Sequence, residues 1–396
     1  MDFERVGPSI DMQRPVGAPA PAPTRLLYID NLRCTMIILV VSMHAADTYS
    51  PLGNWYYTDR RALSLPVLLT CAAWQMYLQS FFMGLLFFIA GYFVPPSYDR
   101  KGPWRFIRRR SFRLGLPVLF YMFVLGPVTE YYVAHSWTST QPTSFPNEWL
   151  KHILNGQFLQ ENGPLWFCLA LLIFSLLYAG YRACRPKAAT IATRPPGART
   201  LICFALIMAA LSFAVRLPRP APFLNMHLQD FPQYALLFMG GAVAARQGWL
   251  GNLSYSSGLR WLAIVLPSGL TAWLAILLGG GLLQGKTDVF SGGWHWQSGA
   301  LDVWESTTCV ALCFGLLVIY RERFNSQGPT ARFLSDNAFA VYVFHPPVII
   351  GIARVMHSAA WHPLVQFAAL TVAAAAATFA LSAAVFRRIP LLKSIL

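Results

Sequence analysis

Four groups of residues in this chain could do chemistry, and each sits where ionisable side chains are costly. The first lies in the apolar stretch Leu32-Arg-Cys-Thr-Met-Ile-Ile-Leu-Val-Val-Ser-Met-His44-Ala-Ala-Asp47. Arg33 and His44 are eleven residues apart, close to three helical turns and about 16 Å along the axis, so they project from one helix face. An imidazole that deep in an apolar segment is either a functional base or a structural group satisfied by a neighbouring helix. Arg33, nearer the segment's start, can also snorkel to the interface, and Asp30, three residues earlier, is placed to pair with it. The second group is basic: Arg105, Arg108, Arg109, Arg110 and Arg113. Arginine forks bind phosphate oxygens bidentately, but such a cluster also serves as a topology signal and an attraction to anionic lipid. The third is Glu161-Asn-Gly-Pro-Leu-Trp166, an aromatic belt after a turn. The fourth is Tyr342-Val-Phe-His345-Pro-Pro, where a histidine lies within an apolar run and the prolines free backbone carbonyls. Glu305, beside Trp304, reads as the one glutamate inside a span, placed to assist a histidine or to form a structural hydrogen bond.

Spacing excludes some chemistries. No HExxH or similar arrangement supports zinc. The seven cysteines form no CxxC pair, and Cys309 and Cys313 share a helix face without the partners a metal site needs. No metal and no bound cofactor are expected.

These residues must be positioned by membrane-spanning helices. Of 396 residues, 56% are hydrophobic and only 12% charged, about half the charged share of a soluble chain. The apolar residues fall in blocks near twenty long, the length that crosses a bilayer. Ten spans are predicted, near 32–50, 68–94, 112–133, 164–182, 200–216, 231–247, 260–280, 298–320, 336–355 and 363–386. The fold class is therefore all-α, a polytopic bundle. The net charge of +15 does not indicate nucleic acid, because the basic residues cluster in short segments between apolar blocks. With ten spans, the clusters at 100–113, 182–199, 321–332 and 387–393 share one side, which the positive-inside rule makes cytoplasmic along with both termini. Arg60, Arg61, Arg216 and Arg219 are exceptions. Residues 1–24 lack the apolar core of a signal peptide and read as a disordered cytoplasmic lead-in, followed by one transmembrane domain over 25–396.

Taken together, these segments resemble the acyltransferase-3 family of integral membrane O-acyltransferases. The likeness rests on Arg33-x10-His44 after Tyr-Ile-Asp-Asn-Leu, on Phe82-Met-Gly-Leu-Leu-Phe-Phe-Ile-Ala-Gly-Tyr, on Arg110-x-x-Arg113-Leu-x-x-Pro, on Gly163-Pro-Leu-Trp166-Phe and on Tyr342-Val-Phe-His345, in that order. The resemblance implies about ten helices in the cell's inner (plasma) membrane. It also implies transfer of an acyl group, acetyl or succinyl in many members, from cytoplasmic acyl-CoA as co-substrate to a hydroxyl, most often of an extracytoplasmic carbohydrate. In the family the first-span histidine is the proposed base and the arginines bind the donor; here these are His44, with Arg33, Arg105, Arg108, Arg110 and Arg113. Asp30, Trp166, Glu305 and His345 are expected in support. Some members carry a fused SGNH hydrolase-like domain; this chain reads as a stand-alone member. The competing class is a multi-spanning transporter or flippase of an anionic or glycan substrate, which would explain ten spans and deep ionisable groups equally well, although no internal repeat is visible.

Overall fold

The computed structural model describes residues 25–53, 55–59, 63–137, 144–185, 192–389 and 392; the expected disordered lead-in, 1–24, lies outside them. Among the described residues there is no strand, only an isolated bridge between Phe223 and Met226. The long helices are α1 (Leu27–Tyr49), α2 (Leu65–Lys101), α3 (Pro103–Val133), the short α4 (Phe145–Leu154), α5 (Trp166–Cys184), α6 (Ala198–Arg216), α7 (Phe231–Gln247), α8 (Tyr255–Gly279), α9 (Trp296–Arg323), α10 (Pro329–Met356) and α11 (Pro363–Ala384).

Helix α1 is the centre. It packs against α2, α9, α10 and α11, and Leu32, Met36, Val41 and Ala45 are fully enclosed. By contrast α6, α8 and α11 expose large apolar side chains, such as Ile207, Ile264 and Val372. These suit hydrocarbon, where an apolar exterior is the stable one.

Among the described residues, nine helices are long and apolar enough to cross a membrane, against ten expected. The difference is α7, which has 17 residues and so spans about 26 Å, short of the roughly 30 Å hydrocarbon core. Its limits are local. Pro232 starts it, and Gly248, with φ +65°, ends it by donating its N–H to Ala244. The helix is nevertheless anchored at both ends. Asp230, at its start, pairs with Arg216, while Arg246, in its last turn, pairs at 2.6 Å with Asp99 near the end of α2.

The basic segment is helical. Gly102, with φ +73°, turns the chain after α2, and Pro103 begins α3 at once. The arginines therefore occupy the first turns of α3, which continues through π-helical turns at Ser111–Gly115 and Tyr121–Leu125. Glu130 also lies in this span, so Glu305 is not alone among glutamates in the membrane segments.

The tightest packing joins α2 to α7. A Cβ on Gly91 would overlap the backbone carbonyl of Phe238, and one on Gly241 would overlap that of Phe88. Small residues at such crossings let helix backbones touch, which is how helices associate where lipid offers no hydrophobic drive. Gly91→Leu or Gly241→Leu should overpack the crossing by about 1–3 kcal/mol or more and lower the apparent Tm in a thermal size-exclusion assay. Gly180→Leu, where a Cβ meets nothing within 4 Å, should leave it unchanged.

Candidate active site

His44 lies in the last two turns of α1, and its environment is built from three elements. Its Nδ1 is 3.0 Å from Asp47 Oδ2, a contact set by the i,i+3 spacing. Gln75, from α2, donates Nε2 to the other Asp47 oxygen at 2.5 Å and to the Leu52 carbonyl at 2.6 Å. That pair of bonds ties the loop after α1 to α2. Gly53, with φ +124°, lets the loop pass close over Asp47. The loop then lays Trp55 on His44, with ring centroids 4.0 Å apart and planes 11° from parallel. Beside it is His345 of α10, its ring 5.2 Å from that of His44 and 12° from parallel, and 6.4 Å from that of Trp55. His345 is fully buried; its Nδ1 lies 2.8 Å from the Tyr342 carbonyl, while Nε2 has no hydrogen-bond partner. With Asp47 accepting from Nδ1–H, the lone pair of His44 is on Nε2, the atom available to take a proton.

This assembly opens into a cavity of about 950 Å³, the upper range for small-molecule sites. His44, Asp47, Trp55, Gln75, Trp166 and Tyr342 line it, and so do Glu130, His152, Glu161 and Asp230. The turn Glu161-Asn-Gly-Pro-Leu-Trp166 forms one edge. Asn162, fully buried, donates to the Leu224 carbonyl at 2.6 Å, and the Tyr342 hydroxyl donates to the Pro164 carbonyl. The third and fourth sequence motifs thus meet: Tyr342 holds the turn that places Trp166.

The arginines stand at the opposite end. Arg33, Arg110 and Arg113 are close enough to repel one another. The Arg33 side chain is 52% exposed, so this arginine is not buried alongside His44, although both belong to α1. It lies 3.7 Å from Asp30, which Arg25 also binds, at 2.5 Å. Arg110 is half-buried over the Phe106 ring, while Arg105, Arg108 and Arg113 are exposed. The cavity reaches only to Val40 on α1; no residue from 100 to 113 lines it.

Glu305 is away from His44. It bonds Arg216 at 2.9 Å, as do Asp230 at 3.1 Å and Asp302 at 3.2 Å. One cation of α6 therefore gathers carboxylates from α9 and from the segment before α7. Only Asp230 of the group reaches the cavity. Arg219 is held by the carbonyls of Asp288 and Gly292. Two of the four exceptions to the positive-inside pattern are thus engaged by the protein; the other two, Arg60 and Arg61, lie outside the described residues. Among the described residues no group of three or more His, Cys, Asp or Glu is arranged to hold a metal.

Sequence reasoning left Asp47, Trp55, Gln75, Glu130, His152 and Asp230 out of the site. Gln75 and Glu130 carried a readable signal, a polar side chain inside an apolar run. Trp55 carried none, because it arrives from a loop.

The fold and site define a multi-pass helical membrane protein with a carboxylate-backed imidazole facing a large cavity. The profile of one family, described as an acyltransferase domain, matches residues 26–386, and the chain belongs to that family, acyltransferase-3. It is a membrane acyltransferase. No curated protein and no solved structure shows a significant match.

If Asp47 orients the imidazole, Asp47→Asn should lower kcat for acyl transfer by about 10²-fold or more, within the range that positioned acid–base catalysis contributes. The donor KM should stay unchanged in steady-state assays of purified protein; a comparable rise in KM with kcat intact would assign Asp47 to binding instead.

Proposed function

We propose that the protein is an O-acyltransferase of the inner (plasma) membrane that moves an acyl group, acetyl or succinyl, from cytoplasmic acyl-CoA to a hydroxyl of an extracytoplasmic carbohydrate. The observation that carries this reading is the separation of its two ends. Arginines cluster at the basic end of the bundle, and the imidazole faces a cavity at the other. Counting α7, ten helices run between these ends. Arg25 pairs with Asp336 while Arg387 bonds Asn337, so the start of α1 and the segment after α11 lie at one end, as an even number of crossings requires. Basic residues dominate that end, which supports a cytoplasmic side there under the positive-inside rule.

Coenzyme A is a cytoplasmic polyanion. Its phosphates match Arg33, Arg110 and Arg113, whose mutual repulsion an anion relieves. Its long, flexible arm lets the thioester lie deeper while the phosphates stay at the surface. The acceptor reaches His44 from the cavity. Nε2 takes the hydroxyl proton as the oxygen attacks the thioester carbonyl. The C–S bond then breaks, and the imidazolium returns the proton to the departing thiolate, which restores neutral His44. Asp47 stabilises the imidazolium, while Trp55 and His345 fix the ring plane. General-base catalysis supplies roughly 10²–10⁴-fold, and orientation within the cavity supplies much of the rest.

His44→Ala should reduce acyl-CoA-dependent transfer at least about 10²-fold, while the protein inserts and elutes as the wild type does; retained turnover would exclude this mechanism. The double change Arg110→Ala and Arg113→Ala should raise the KM for acyl-CoA at least about tenfold, since one charge-assisted hydrogen bond is worth roughly 1.5–3 kcal/mol. An unchanged KM would leave these arginines as topology signals.

A further inference from the structure

We infer that Glu130 and Glu161 form the binding floor of an acceptor subsite that takes an uncharged, polyhydroxylated ring and rejects an anionic one. The inference rests on the proposed function and adds which acceptors the cavity admits.

Both glutamates line the cavity that His44 faces. They come from different elements, Glu130 from α3 and Glu161 from the turn before α5, and they lie close enough to interact. Burial, and then the neighbouring Glu130, raise Glu161 well above the usual carboxylate range, against a smaller opposing effect of the Tyr56 hydroxyl. The wall therefore gathers acidic oxygens at this point. Other carboxylates on the wall have cations at hand: Glu148 pairs with Lys151 at 3.0 Å, and Asp230 with Arg216. No Lys or Arg is among the described residues that line the cavity.

Two deeply buried side chains beside the pair still lack partners for one polar atom. His152, 4% exposed, has Nδ1 3.8 Å from Glu130 Oε2 with no hydrogen-bond partner. That gap is too long for a direct bond; with Nε2–H given to the Met122 carbonyl, Nδ1 and the Glu130 oxygen are both acceptors, and two neighbouring ligand hydroxyls would satisfy them, one donating to each. Gln75 is 4% exposed, and its Oε1 is likewise unpartnered on the wall nearer His44. Trp55, Tyr56, Trp149 and Trp166 supply flat apolar faces around these polar points. Convergent hydroxyl partners between aromatic faces suit a sugar ring. A carboxylate on that ring would meet the charge of the glutamate pair, and like charges brought together inside a site are strongly disfavoured.

The test uses full-length protein in lipid nanodiscs free of glycosidic detergent. Maltotriose, uncharged, and trigalacturonate, anionic, are titrated by saturation-transfer NMR. The wild type should bind maltotriose at least about tenfold more tightly. The double change Glu130→Gln and Glu161→Gln, which preserves shape and removes charge, should bring the two affinities within about threefold. The subsite is overturned if the wild type binds neither sugar or binds both alike, or if the variant keeps the wild-type ratio. Acetyl transfer from acetyl-CoA is measured on the same samples. Charge discrimination in a wild type that transfers no acetyl group would sink the donor chemistry and leave the subsite standing. Transfer to trigalacturonate as fast as to maltotriose would sink the subsite alone.

Discussion

Inside a bilayer a polar group has no water to fall back on, so each must find its partner within the protein or face a cavity. That constraint organises this molecule more than any apolar contact does. Asp47 is secured by His44 and Gln75. Asn162 is secured by the Leu224 carbonyl. Gln233 donates to the Ser80 carbonyl across the α2–α7 crossing. Remove these and the apolar helices would still collapse together, but the rotation of α1 would lose its polar ties. The bonds make α1 present His44 to the cavity rather than to lipid.

The same constraint explains how the two ends divide. At the basic end, arginines are exposed or half-buried and lie near one another, an arrangement that only water and an incoming anion make comfortable. At the other end, the charges are mostly acidic and lie within loops and helix ends that fold over one chamber. The helices between supply a thick apolar partition, with Met36, Phe87 and Leu165 fully enclosed.

Much of this was legible in the sequence, for reasons that differ residue by residue. His44 stood out because an imidazole in a twenty-residue apolar run has few structural excuses. The helices were visible from block length, including both ends of α7, but block length missed the start of α3. There, Gly102 with Pro103 sets a boundary that hydropathy does not register. Glu130 was visible as a charge within a span but was passed over beside the arginines. Its relation to Glu161 could not be read at all, since the two meet only after α3 and the turn before α5 have packed. Trp55 was equally hidden: its place on His44 depends on a loop drawn in by Gln75 and Asp47, a contact between residues 28 apart.

Arg216 shows what such long-range pairing asks of synthesis. It is made 14 residues before Asp230 and 89 before Glu305. When α6 first leaves the ribosome, its terminal guanidinium has one acidic partner close behind; its others arrive only after α7 and α8 have been made and α9 has begun. The cluster therefore acts as a late clasp. The α6 segment cannot settle into its final seat until the chain has delivered α9, so assembly of this half of the bundle has an order written into it by charge.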